Sequence, residues 1–174
     1  MDPQKDLLII TASNGENLKL AERFALCAKK LGNTSEILDL TCLDLPIFNP
    51  RSHQRTGIPS QIKSLNDQMT AIPRWVICAP EYNGSIPPIL TSAIAWLSVQ
   101  GNDFRTLFNG RPIALASFSG GGCMELLLSM RIQLSHLGAQ VVGRQLTSNK
   151  NTPAKDESIE DILRRLMQMQ LLKL

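Results

Sequence analysis

An α/β fold, a five-stranded parallel sheet held between two layers of helices, is what this sequence predicts. Three observations carry that prediction. Short aliphatic runs recur along the chain, stretches with apolar residues at helical spacing separate them, and clusters of Ser, Thr, Asn and Gly follow several of the runs. Strands that alternate with helices pair in parallel through right-handed crossovers, and the crossover helices then cover both faces of the sheet.

Leu7 to Ile10 is a continuous aliphatic run too short for a helix, which suits a strand buried on both faces. The period then changes. Leu20, Phe24, Cys27 and Leu31 recur at helical spacing, with Lys19, Glu22, Arg23, Lys29 and Lys30 elsewhere on the wheel and Gly32 as the stop. Glu36 to Leu40 gives the second strand, and Leu45 to Pro59, with three prolines and no periodicity, reads as an irregular connection. A helix capped by Ser60 follows, with Ile62, Leu65, Met69 and Ile72 as its buried stripe. Trp75 to Ala79 is the third strand. Pro87 and Pro88 are tolerated in a first helical turn, and the helix they open runs to Val99 with Leu90, Ala93, Ile94 and Leu97 inward. Pro112 to Phe118 is the fourth strand, Ser119 to Gly122 a glycine loop, and Leu127, Met130, Leu134 and Leu137 mark a helix that stops at Gly138. Ala139 to Val142 makes the fifth strand. The last helix starts at a Ser158 cap, with Asp161 three residues on, and buries Ile159, Ile162, Leu166 and Met169.

Five such units in 174 residues predict a flavodoxin-like three-layer arrangement, one domain over residues 1–174 with sheet order 2-1-3-4-5. Ligands of such sheets sit beyond the carboxyl ends of the strands where the order reverses, here between the first and third strands. The loops to inspect are therefore 11–17 and 80–86, with 117–122 beside them.

Composition narrows the function classes. Apolar residues are 43% and charged residues 19%, near globular averages, and no stretch approaches the ~20 apolar residues of a membrane span. The opening MDPQKDLLIITA has too short an apolar run for a signal peptide and carries Asp2 and Asp6, so a cytoplasmic protein is expected. The net charge of +3 comes from scattered basic residues, not from a cluster interleaved with aromatics, which argues against a nucleic-acid partner. Cys27, Cys42, Cys78 and Cys123 form no C-x-x-C pair and lie in apolar segments, which favours buried free thiols over disulfides or a metal site.

The first loop, Thr11-Ala12-Ser13-Asn14-Gly15-Glu16-Asn17, has two readings: a cradle for a phosphate at a helix N-terminus, or an ordinary helix cap. It is neither a Walker loop nor a G-x-G-x-x-G. The second, Pro80-Glu81-Tyr82-Asn83-Gly84-Ser85, contains the sole tyrosine and can pack on a flat heterocycle, although turn chemistry alone also explains Asn83-Gly84. The third is Ser117 to Gly122, SFSGGG.

The second loop, followed by Pro87, Leu90 and a helix carrying Trp96, resembles the P-E-Y-N-x-S-x-P-x-x-L signature of the NADPH-dependent FMN reductases, which include quinone, azo-compound and chromate reductases. SFSGGG, and the run from Arg131 through Leu137-Gly138-Ala139, are similar to the family's segments in the same order. The resemblance implies FMN as cofactor, NADPH or NADH as co-substrate, a small-molecule electron acceptor such as a quinone, and a homodimer or homotetramer. It implies a phosphate on Thr11, Ser13, Asn14, Gly15 and Asn17. The flavin ring would lie between Pro80, Glu81, Tyr82, Asn83, Gly84 and Ser85 on one side and Ser117, Ser119, Gly120 and Gly121 on the other. No catalytic side chain and no metal ligand are implied, because hydride goes to the flavin itself while the protein orients it. Tyr82 lines the site and Glu81 fixes its loop.

The first loop departs from the family. It is two residues shorter and lacks the family's Arg, and its length is closer to the flavodoxin pattern T-x-T-G-x-T. Glu16 is the awkward residue: a carboxylate about 6 Å from a phosphate costs several kcal/mol at an effective dielectric of about 20 unless it faces solvent. Thr91-Ser92 and Ala95 also replace residues common on the family's next helix, which bears on subunit contacts.

Arg51, His53 and Arg55 read either as a contact for the extra phosphate of NADPH or as a solvated basic loop. His136 reads as a surface or structural residue. A serine hydrolase built on Ser119 lacks the Gly two places upstream that a nucleophile elbow needs. A non-enzymatic electron carrier, or a scaffold without flavin, is the remaining alternative, and the mild positive charge counts against the carrier.

Overall fold

Leu7, Leu8, Ile9 and Ile10 offer no polar side chain to water, and the chain buries all four to 2% exposure or less. The computed structural model describes residues 5–173, so Asp2 lies outside the described residues. Strand β1 (Leu7–Thr11) runs parallel between β2 (Ser35–Asp39) and β3 (Trp75–Cys78), pairing Ile9 with both Ile37 and Val76. β3 pairs in parallel with β4 (Pro112–Phe118), giving the expected order 2-1-3-4 with the fifth position beyond.

Because side chains alternate along a strand, each strand feeds two cores. Leu7, Ile9, Val76, Cys78, Ala114 and Ala116 pack against α1 (Glu16–Lys30) and α6 (Asp156–Gln168). Leu8, Ile10, Trp75, Ile77, Ile113 and Leu115 pack against α3 (Ser60–Ala71), α4 (Pro88–Ser98) and α5 (Met124–His136). The result is the three-layer, flavodoxin-like sandwich, and each face is closed by the stripe that helical spacing marks. Fully burying a side chain such as Phe24 contributes about 1.5–3 kcal/mol. Among the described residues no helix is long and apolar enough to cross a membrane.

The fifth position differs from expectation. It is filled by two short strands, β5 (Gln140–Val141) and β6 (Leu146–Ser148), paired with the start and the end of β4 respectively. Between them the chain leaves the sheet at Gly143 and Arg144. Arg131 donates to Val142 O at 3.0 Å and to Gln145 Oε1 at 3.1 Å, while Arg144 reaches Asp161 at 2.6 Å, so side chains serve the polar groups of the break.

The irregular connection contains α2 (Pro50–Thr56). Asn49 caps it by accepting from the N–H groups of Arg51 and Ser52, and Pro50 takes the first helical position, where no N–H is needed. Trp96 Nε1 donates to Pro46 O at 2.8 Å, and the Trp96 ring meets Phe48 edge-on at 5.0 Å, which holds this connection against α4. Two expected caps move. Pro59 occupies the cap position of α3, with Ser60 the first helical residue. Lys155 precedes α6, whose Asp156 and Glu157 complement the helix dipole, while the Ser158 hydroxyl accepts from Arg144 at 3.1 Å. All four cysteines are free, but Cys42 is exposed, because Leu40–Cys42 form a 3-10 turn at the surface instead of extending the second strand.

Candidate functional site

The carboxyl ends of β1, β3 and β4 bring the three loops to one edge. Thr11 is the last residue of β1 and is still paired with Asp39 and Cys78, so it is fully buried. Its hydroxyl donates to Ser13 O at 2.8 Å, a local turn that sends Asn14, Gly15 and Glu16 outward. Among the described residues no side chain caps the start of helix α1. The N–H groups of Asn14, Gly15, Glu16 and Asn17 meet no acceptor among the described residues, whereas those of Leu18 and Lys19 are taken by Gly15 O. Free N–H groups at the positive end of a 15-residue helix favour a nearby negative charge.

Asn17 is 2% exposed, and its side chain points inward. Its amide donates to Phe118 O at 2.8 Å and accepts from Phe118 N at 2.9 Å, joining the start of α1 to the end of β4. Glu16 turns along the surface to Lys19, with the carboxylate 2.7 Å from the ammonium. The hydrogen bond from this carboxylate holds the Lys19 pKa above its ordinary value.

In the second loop, Tyr82 N donates to Ser85 O at 3.1 Å and Ser85 N to Tyr82 O at 3.0 Å. Asn83 and Gly84 between them have φ of 51° and 68°, the two left-handed positions of a type I′ turn, for which Asn-Gly is the preferred pair. The turn presents Tyr82 at 49% exposure, with Asn83, Gly84 and Ser85 also exposed and Pro80 buried beneath. Glu81 is its brace. Its Oε2 accepts from Leu126 N at 3.2 Å in the first turn of α5, and its carbonyl accepts from the Ser119 hydroxyl at 3.4 Å.

The third loop leaves β4 with Ser117 fully buried, its hydroxyl donating to Ala79 O at 2.7 Å and its carbonyl accepting from Ser148 at 2.9 Å. Gly120, Gly121 and Gly122 are exposed. Cys123, buried with φ of 61°, turns the chain into α5.

Within the expected ligand set, Pro80 is buried and Glu81 half-buried. The side chains of Thr11, Asn17 and Ser117 are buried and bonded to the protein itself, because residues at strand ends and helix starts are still enclosed by their neighbours. Ser13, Asn14, Gly15, Tyr82, Asn83, Gly84, Ser85, Ser119, Gly120 and Gly121 do stand at the accessible edge. Of the basic cluster, Arg51 and Arg55 lie on α2, while the His53 ring meets Trp96 edge-on at 5.8 Å. His136 is exposed at the far end of α5 and stacks on Phe104 at 6.0 Å. Among the described residues no group of His, Cys, Asp or Glu could hold a metal ion.

A family model described as NADPH-dependent FMN reductase matches residues 6–153. The chain belongs to this family. It is 29% identical over 124 residues to a quinone reductase of Escherichia coli, covering 67% of this chain and 64% of that protein. It is 26% identical over 146 residues to an NAD(P)H-dependent FMN reductase of Pseudomonas aeruginosa, covering 80% and 76%. The chain thus matches less than two thirds of the length of the quinone reductase. In fold it is similar to FerB, a flavoenzyme NAD(P)H:(acceptor) oxidoreductase from Paracoccus denitrificans, with a TM-score of 0.70 at 21% identity over 94% of this chain and 91% of that one. A flavodoxin from the domain Archaea superposes with a TM-score of 0.59 at 10% identity, covering 92% and 93%.

Proposed function

We propose that this chain is an FMN-dependent NAD(P)H oxidoreductase that passes hydride from NADPH or NADH to a quinone or similar small acceptor. The observation that carries the reading is the Tyr82–Ser85 turn, tied through Glu81 to α5 and to Ser119 of the glycine loop, at the same sheet edge as the uncapped start of α1.

The residues fit FMN. The open N–H groups of Asn14 to Asn17, with the Ser13 hydroxyl, suit its phosphate, and the Glu16–Lys19 pair carries no net charge, so the helix end dominates the local field. Tyr82 and the backbone of residues 81–85 offer one wall for the ring, and Ser119, Gly120 and Gly121 the other, where the glycines allow the backbone to come close. FMN held at this edge would supply the hydride-transfer chemistry between nicotinamide and acceptor. The chain's part is to bind, orient and stabilise negative charge with backbone N–H groups; no side chain is assigned a proton transfer. For the homodimer or homotetramer we propose the exposed α5 stripe of Met124, Leu128 and Ile132, which begins beside the glycine loop.

The test is spectroscopic. The purified protein should be yellow or take up added FMN, bleach with NADPH or NADH, and recover colour with a quinone. Protein that refuses FMN sinks the reading, and flavin reduced only by another protein makes it an electron carrier instead. Ile132→Glu should lower the mass seen by light scattering; an unchanged mass removes the α5 stripe as the contact.

A further inference from the structure

Strand β2 forms one edge of the sheet and pairs only with β1, so its outward N–H and C=O groups have no backbone partner among the described residues. An open edge templates further pairing, and it is ordinarily blunted by a proline, a bulge or an inward-facing lysine. β2, Ser35-Glu36-Ile37-Leu38-Asp39, has none of these, and its register with β1 is unbroken from Ser35 to Asp39. Between this edge and α1 runs an open groove of about 620 Å³. Ala25, Leu26 and Ile37 make it apolar at the centre, where Leu26 stands 60% exposed. Glu22 and Lys29 line it on either side of Leu26, and neither has an ion-pair partner among the described residues.

We propose that a second copy of this chain docks here: the two β2 strands pair antiparallel about a two-fold axis at Ile37, and one sheet continues into the other. A two-fold contact brings the same patch on both copies together, each reversed relative to the other. Ile37 then faces Ile37 of the second copy, Ser35 faces Asp39 and Glu36 faces Leu38, so no two carboxylates stand directly opposite. Across the same axis the two α1 helices run antiparallel with Leu26 near Leu26, which brings Glu22 of each copy to Lys29 of the other. Any extended peptide could satisfy the open edge, but the order of charges along this groove, read in reverse, is its own complement, and that selects a second copy. A parallel arrangement would set like charges against each other. The α5 stripe lies over β4 and β5, toward the other edge of the sheet, so the two contacts can coexist, and two distinct two-fold contacts are what a homotetramer uses. The inference is independent of flavin binding.

Sedimentation velocity over a range of concentrations reads this contact, with the Ile132→Glu chain used so that the α5 stripe contributes nothing. That chain should still dimerise reversibly. Leu26→Lys, at an exposed helical position that leaves the core intact, should weaken the dimer by about tenfold or more. Glu22→Lys and Lys29→Glu should each weaken it by about fivefold, and the two together should restore it, because the exchanged charges are complementary again. Hydrogen exchange should show alternate β2 amides protected at high concentration and released on dilution. An Ile132→Glu chain that is monomeric throughout leaves the groove to a different partner and overturns the proposal. So does a dimer indifferent to Leu26→Lys, a double exchange no tighter than the single changes, or β2 amides whose exchange ignores concentration.

Discussion

The second and third loops brace each other, whereas the first is tied to the sheet mainly at its two ends. Glu81 ties the Tyr82 turn to α5 and to Ser119, and the turn closes itself through two backbone bonds. Thr11 to Glu16 has the strand pairing of Thr11 and the bond from Ala12 N to Cys78 O at its start, its own Thr11–Ser13 contact, the surface pair of Glu16 with Lys19 and, at its far end, Asn17. The difference separates two demands on one site: a ring wall must hold its shape, while a phosphate loop needs donors left unspent. A buried anchor at the end of the loop meets the second demand without using those donors.

The largest effect should come from that anchor. Asn17→Ala removes both bonds to Phe118 and strands a backbone N–H and C=O, which should cost about 2–4 kcal/mol in urea unfolding. A loss below about 1 kcal/mol would mean that the first loop has another support. Glu81→Ala uncaps Leu126 N and frees the turn from α5, for about 1–2 kcal/mol, together with weaker FMN binding in a fluorescence titration. If FMN binding holds while stability falls, the brace belongs to the fold alone. Gly84→Ala forces a Cβ into φ of 68° where space is otherwise open, so the cost of about 1 kcal/mol is conformational and should appear as a lower midpoint at unchanged slope. Glu16→Gln should move stability by less than about 0.5 kcal/mol, since its ion pair is exposed. It should tighten FMN binding about threefold at low salt, with the gain fading as salt screens the phosphate.

The frame of this fold is legible because its signals are local. Aliphatic runs such as Leu7 to Ile10 and the stripe of Ile62, Leu65 and Met69 depend only on neighbouring residues, and the structure buries them as the pattern demands. Pro80 to Ser85 is legible for the same reason: Asn83-Gly84 encodes its own backbone shape. What the pattern missed acts over distance. Asn17 finds Phe118 101 residues away, Ser117 is claimed by Ala79 and Ser148, and nothing near Arg111 announces a buried cation. The α2 helix is the exception, since Asn49-Pro50 is itself a start signal, masked by Pro46 and Pro59 on either side.

The Asn83–Gly84 turn also bears on how fast a ligand is captured. A platform whose bonds lie wholly within residues 82–85 exists before any ligand arrives, so encounter requires no slow folding step. Stopped-flow association at this edge should therefore be a single phase whose rate rises in proportion to FMN concentration. The temperature dependence should be shallow, with the Tyr82 ring reporting contact and not rearrangement.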